Sequence, residues 1–211
     1  MEGQKVFDGR PALAFRRARD RRRFLAWAAA LGVGASLAGG SGRRLATAQS
    51  GGGDVGILNY ALALEYLESD FFARGLRADL VDGRARELIE PIARHEDEHV
   101  SILTTTITDL GGQPVERPRF TYPGGTFDDA RAWLRTGAGL QDLAVKAYHG
   151  QVTRISNRKL LGAAASLAGT ESRHAAIMAE LAGRNPFPAP IEVAKGRSFV
   201  LRAARPFLKS S

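Results

Sequence analysis

Residues 93–101, ARHEDEHVS, contain His95-Glu96-Asp97-Glu98-His99, a run that fits two unrelated chemistries. As H-E-x-x-H it is the zinc-protease signature, two His one helical turn apart with a Glu base beside them. Starting one residue later, Glu96-x-x-His99 is the E-x-x-H half-site of a carboxylate-bridged di-metal protein, whose i and i+3 ligands share one helix face. The choice decides the fold, because the second reading needs three further helices to complete the site.

The flanking sequence supplies them. From Val55 to Leu76 apolar residues recur at helical spacing through Leu58, Leu62, Phe72 and Leu76, with Glu65 inside the stripe. A second segment, about Gly83 to Leu110, sets Ile92, Leu103, Ile107 and Leu110 on one face together with Glu96 and His99. Pro91 should kink it or mark where its regular part begins. Gly111-Gly112-Gln113-Pro114 ends it. A third helix, capped by Asp128 or Asp129, reaches about Gly150 with Gln141 among Leu134, Ala138, Val145 and Tyr148. A fourth, capped by Ser156 or Asn157, runs to about Ala182 and carries Glu171 and His174 between Leu160, Ala164, Leu167 and Met178, Leu181.

The Pro- and Gly-rich connection between helices two and three, roughly 15 residues, can span a ~30 Å helix at ~3.3 Å per residue. The other connections are short, so helices one and two are antiparallel, as are three and four. The expected fold is all-α: a ferritin-like four-helix bundle with one long crossover between helices 2 and 3. It occupies residues 54–183, after a linker at 49–53. Residues 184–211, with Pro186, Pro188 and Pro190, read as an extended tail laid over the bundle through Phe187, Phe199 and Phe207.

The polar residues on the apolar stripes form an internal near-repeat. Glu65 precedes Glu96-x-x-His99 by 31 positions, and Gln141 precedes Glu171-x-x-His174 by 30. Each lone residue is followed seven positions later by an aromatic, Phe72 or Tyr148. Buried carboxylates are costly unless paired or bound to metal. Two E-x-x-H pairs facing each other, with a further carboxylate from each remaining helix, can surround two ions, and such ligands suit iron or manganese. At these positions ILNYALALEYLESDFFARGL (57–76), ARHEDEHVSIL (93–103), QDLAVKAYHG (141–150) and AGTESRHAAIM (168–178), with NPFP at 185–188, resemble the ferritin-like domain family that includes the desiccation-related proteins. The resemblance covers about residues 54–190. It implies a di-metal site mapping onto Glu65, Glu96, His99, Gln141, Glu171 and His174. Gln141 stands where the pattern expects Glu, and Phe72 where Tyr is common. With three carboxylates the cluster should hold one ion, or two unevenly, unless Glu68 turns inward; Glu68 otherwise reads as a helix-flank charge.

The protease reading lacks a third protein ligand. The next histidine is His149, Glu116 sits in the Pro-rich connection, and Glu171-x-x-His174 would go unexplained. His95 is therefore expected as a partly exposed neighbour or hydrogen-bond donor behind the ligands. Tyr148 reads as a core aromatic with a bonded hydroxyl, Asp142 and Lys146 as a surface i, i+4 pair, and His149 as solvated. The absence of cysteine excludes thiolate ligation.

The chain has 211 residues and a formal charge of +8. Ten Lys/Arg against Glu2, Asp8 and Asp20 place nearly all of that charge in residues 1–48. The folded part is close to neutral, so no nucleic-acid partner is expected. Arg21-Arg22-Arg23-Phe24-Leu25 resembles the twin-arginine export motif, followed by an uncharged stretch from Phe24 to Gly40 and an A-x-A pattern at Ala46-Thr47-Ala48. Residues 1–48 thus read as a twin-arginine signal peptide whose partner is the export machinery; if uncleaved, it is an anchor. No stable membrane span is expected in the mature chain, and no feature indicates a storage cage or sets an oligomer. The functional expectation is an exported iron- or manganese-binding bundle with a redox or stress-protective role, against a non-catalytic bundle whose polar cluster is a remnant. Replacing Arg21 and Arg22 together by Lys should retain the precursor in the cytoplasm, while the wild type yields a product starting at Gln49. Fractionation with N-terminal sequencing tests this, and unchanged secretion of the double variant refutes the assignment.

Overall fold

The computed structural model describes residues 53–209; the leader and all of the linker but Gly53 lie outside the described residues. Four long helices form: α1 (Gly53–Arg77), α2 (Gly83–Asp109), α3 (Ala130–Val152) and α4 (Arg158–Leu181). Two of the expected caps are in place. The Asp129 carboxylate accepts from the Ala132 N–H, and the Asn157 side chain accepts from the Lys159 N–H. Asp54 instead lies inside the first turn of α1, where its carboxylate accepts the N–H groups of Ser156 and Asn157 and ties α1 to the α3–α4 turn. Just past the end of α2 the chain turns at Gly111 (φ 74°), with Gly111 N–H bonded to Thr108 O and Gly112 N–H to Ile107 O. That double closure needs the left-handed residue that Gly supplies at least cost. Pro91 is accommodated inside α2.

α1 packs along α2 and α3 along α4; across the bundle α1 meets α3 and α2 meets α4. The crossover runs the length of α1. Asn59 bonds Gln113 O and Val115 N–H, Arg117 donates to Ser69, and the Tyr122 hydroxyl donates to Asp70. This returns the chain to the far end, so α3 descends beside α1 in the opposite direction, the crossover topology expected. Among the described residues no helix is long and apolar enough to cross a membrane.

The core has two apolar plugs. One gathers Leu58, Leu62, Leu103, Ile107, Tyr148 and Leu167. The other gathers Phe71, Phe72, Ile89, Ile92, Trp133 and Met178. The polar stripe residues fall between them on every helix.

The tail departs from expectation. It is not extended throughout: α5 (Arg197–Ala204) and a 3-10 turn (Arg205–Phe207) follow its Pro-rich start. Phe187 and Phe199 are exposed, and only Phe207 of the three aromatics packs on the core. The docking residues are Val200 and Ala204, one turn apart, which close over Tyr60, Leu64, Leu143 and Ala147 on the outer face of α1 and α3. Three prolines removed the helical signal ahead of α5, and two apolar residues are too few to restore it. The tail crosses α3 at Gly150, where an added Cβ would lie 1.9 Å from Lys195 O. It ends beside the crossover through a Phe120–Leu208 bridge and Thr121 N–H to Phe207 O.

Gly75 gives a quantitative check. A Cβ there would lie 2.0 Å from Cε2 of Trp133, whose indole is fully buried. Helix propensity alone predicts that Gly75→Ala gains about 1 kcal/mol. The overlap should reverse the sign and cost on the order of 3 kcal/mol. Urea denaturation decides, and a stabilised variant would show that α1 and α3 are not in this register.

Candidate metal centre

Each helix brings its polar residues to one level. Glu65 comes from α1, Glu96 and His99 from α2, Gln141 from α3, and Glu171 and His174 from α4; all six are buried. The i, i+3 spacing lays each E-x-x-H pair on the inward face, between apolar residues a turn away on either side. The structure thus brings every sequence-expected ligand together.

The arrangement is a shared one. His99 Nδ1 lies 3.3 Å from Glu96 Oε2 and 2.9 Å from Glu171 Oε1. His174 Nδ1 lies 3.1 Å from Glu96 Oε1 and 3.6 Å from Glu171 Oε2. Each of these carboxylates therefore offers one oxygen to each imidazole and bridges the two halves. Glu65 Oε2 completes the His99 side at 3.3 Å, and its other oxygen accepts the Tyr148 hydroxyl. Gln141 Nε2 donates to both Glu68 Oε1 and Glu96 Oε1 at 2.9 Å. His174 Nε2 meets His95 Nδ1 at 2.9 Å.

Three expectations are corrected. Glu68 is not a flank charge; it is buried and faces the cluster. His95 is buried rather than partly exposed, and it contacts His174 directly. His149 is half-buried, its Nδ1 against Val145 O. Tyr148 is the bonded core aromatic expected, and Asp142 and Lys146 form their i, i+4 pair. Glu68 could have been found in the sequence. Leu58, Ala61, Leu64, Leu67 and Phe71 surround Glu65 and Glu68 on α1, so that helix is apolar nearly all round and both carboxyls face inward.

The electrostatics follow from burying four carboxyl groups beside three imidazoles. Burial, then the charge of Glu171, push the Glu65 carboxyl up to about 8. Glu68 is raised well above the carboxylate range by burial and by Glu96. Burial would raise Glu96 as well, but the adjoining His174 and His99 hold it well below. Burial opposes charge on the histidines, yet the Glu65 charge and three carboxylate contacts raise His99 well above its ordinary value. Glu96 and Glu171 likewise lift His174 to about 9. Burial and the neighbouring His174 push His95 down to about 4, so it stays neutral and accepts from the His174 Nε2–H. That contact leaves His174 Nδ1 turned to the carboxylates, the orientation a ligating imidazole needs.

These residues fit a metal ion. One ligand atom each from Glu65, Glu96, His99 and Glu171 all lie within 4.8 Å of one another. Ligands about 2.1 Å from a common centre would do the same. Both oxygens of Glu171 and one of Glu96 reach only imidazole nitrogens that other carboxylates also face, without hydrogen-bond geometry, and one oxygen of Glu68 has no hydrogen-bond partner. One imidazole N–H cannot satisfy three carboxylates, and an orphaned buried acceptor is costly. A cation within the cluster satisfies them together. The zinc-protease geometry is absent among the described residues, because His95 faces His174 rather than sharing a centre with His99.

Residues 53–184 match the family model of the ferritin-like domain. The chain belongs to the ferritin-like family. Among curated proteins none matches it. The ferritin-like frame supplies four inward helix faces, and this chain fills them with a buried Glu/His group able to hold a metal ion.

The raised groups set a pH dependence. His174 and Glu65 both hold protons more tightly folded than unfolded, so metal-free stability should fall as pH rises from 6.5 through about 9. A metal displaces these protons, so affinity should rise over the same window. Melting curves with and without added Mn2+ across this range check both. A metal-free melting temperature flat from pH 6.5 to about 9 would contradict the proton assignment.

Proposed function

We propose that this chain is an exported metalloprotein that holds iron or manganese between its four helices and uses it in redox chemistry with oxygen or peroxide. The observation that carries the reading is the convergence of three carboxylates on the His99 imidazole, whose single N–H leaves their buried oxygens without full hydrogen bonding. Mixed carboxylate and imidazole donors without thiolate favour iron or manganese over softer or purely oxygen-seeking ions. The bound metal would supply one-electron chemistry toward those oxidants.

The chain's own residues hold and tune the site. Glu65, Glu96, His99, Glu171 and His174 would ligate. The Tyr148 hydroxyl pins one oxygen of Glu65, leaving the other toward His99. His95 accepts from His174 and fixes its tautomer. The apolar plugs above and below exclude water, which strengthens every charge interaction between them. The twin-arginine motif supports export of an already folded chain, which would carry a metal acquired in the cytoplasm.

Protein purified from its native host should contain iron or manganese. The loaded protein should oxidise ferrous ion or consume peroxide. His99→Ala and His174→Ala should each abolish tight metal binding, whereas His95→Ala, behind the ligands, should weaken it by about tenfold. Equal loss from His95→Ala and His99→Ala with none from His174→Ala would favour the protease geometry. Native protein without metal, and no melting shift on adding either ion, would leave a structural polar cluster and overturn the proposal.

A further inference from the structure

Helix α3 contributes an amide, Gln141, at the level where α1, α2 and α4 contribute carboxylates. Directly against it stands a fourth carboxylate that the E-x-x-H pattern does not include. Glu68 is 2% exposed, one of its oxygens accepts from Gln141 Nε2 at 2.9 Å, and the other has no partner. The same Nε2 donates to Glu96 Oε1, the oxygen that faces His174. Amide and carboxylate thus sit side by side on facing helices, on the His174 half of the cluster.

Resting on the metal reading above, we infer that Glu68 is the ligand that replaces the missing α3 carboxylate, so that the cluster holds two divalent ions rather than one. Glu65 completes the His99 half; Glu68 completes the His174 half; Glu96 and Glu171 are shared. Charge supports this assignment. Without Glu68 three carboxylates face the four positive charges of two ions, and unbalanced charge in a poorly solvated core is costly. With Glu68 the count is even. Gln141 acts differently, since its amide holds the Glu68 and Glu96 oxygens together without adding charge. A fifth carboxylate at that position would overcharge the site, so Gln141→Glu alone should bring no further ion.

The test uses Mn2+ alone as probe, with metal per chain measured after desalting and the paramagnetic resonance spectrum recorded on the same samples. Wild type should retain two ions per chain with the signal of a spin-coupled pair. Glu68→Gln should retain one, with the signal of a lone ion. The exchange variant Glu68→Gln/Gln141→Glu should regain two. Metal-free Glu68→Gln should melt no lower than wild type, because it loses a buried carboxyl, and its melting temperature should rise less on adding Mn2+. Glu68→Gln holding as many ions as wild type overturns the inference and leaves the metal reading intact. So do a wild type that stops at one ion, an exchange variant that stays at one, and a Glu68→Gln that melts lower without metal. A wild type that retains no ion removes the metal reading itself.

Discussion

Burying four carboxylates at the centre of a small helical bundle is the constraint on which the rest of this structure depends. Isolated charges there cost far more than a bundle's net stability, so they persist only when paired, protonated or bound to a cation. The metal-free chain meets the constraint with protons, raising Glu65, Glu68, His99 and His174 together. It also meets it with position. The polar layer lies between Leu62, Leu103 and Leu167 on one side and Phe72, Ile92 and Met178 on the other, so folding cannot bury one without the other. The polar layer is a cost to folding that the apolar residues on either side of it offset.

The architecture places that layer with economy. Each antiparallel pair, α1–α2 and α3–α4, carries one lone polar residue and one E-x-x-H pair, so the halves meet as near-equivalents about an axis through the cluster. The equivalence is broken at one point. Gln141 on α3 and Glu68 on α1 both lie on the His174 side, whereas Glu65 and Tyr148 serve the His99 side. The two halves therefore present different donors and fields to whatever they hold.

Much of this was legible in the sequence because helical spacing projects directly into space. Glu96 with His99 and Glu171 with His174 were bound to face inward once Ile92, Leu103, Leu167 and Met178 marked the stripes. The long Pro-rich connection specified the crossover. What escaped notice had weaker periodicity or depended on neighbours in space. Glu68 lies one turn from Leu64 and off the stripe that carries Glu65, so only the apolar residues all round α1 mark it as buried. His95 is a helical flank residue by spacing, and its contact with His174 is set by how closely α2 and α4 approach. α5 itself packs through Val200 and Ala204 alone, too little pattern to outweigh the prolines before it.

The Phe120–Leu208 bridge joins residues far apart along the chain. It closes a loop that contains α3, α4 and α5. The entropy of closing so long a loop is recovered only when the intervening helices are already docked, which makes the bridge a late event in assembly. The helical hairpins can form early from local contacts, while the clasp between tail and crossover waits for both. The crossover is held to α1 independently of the bridge, by hydrogen bonds to Asn59, Ser69 and Asp70. The bridge and the Thr121–Phe207 hydrogen bond thus tie the end of the tail to a crossover that α1 already holds.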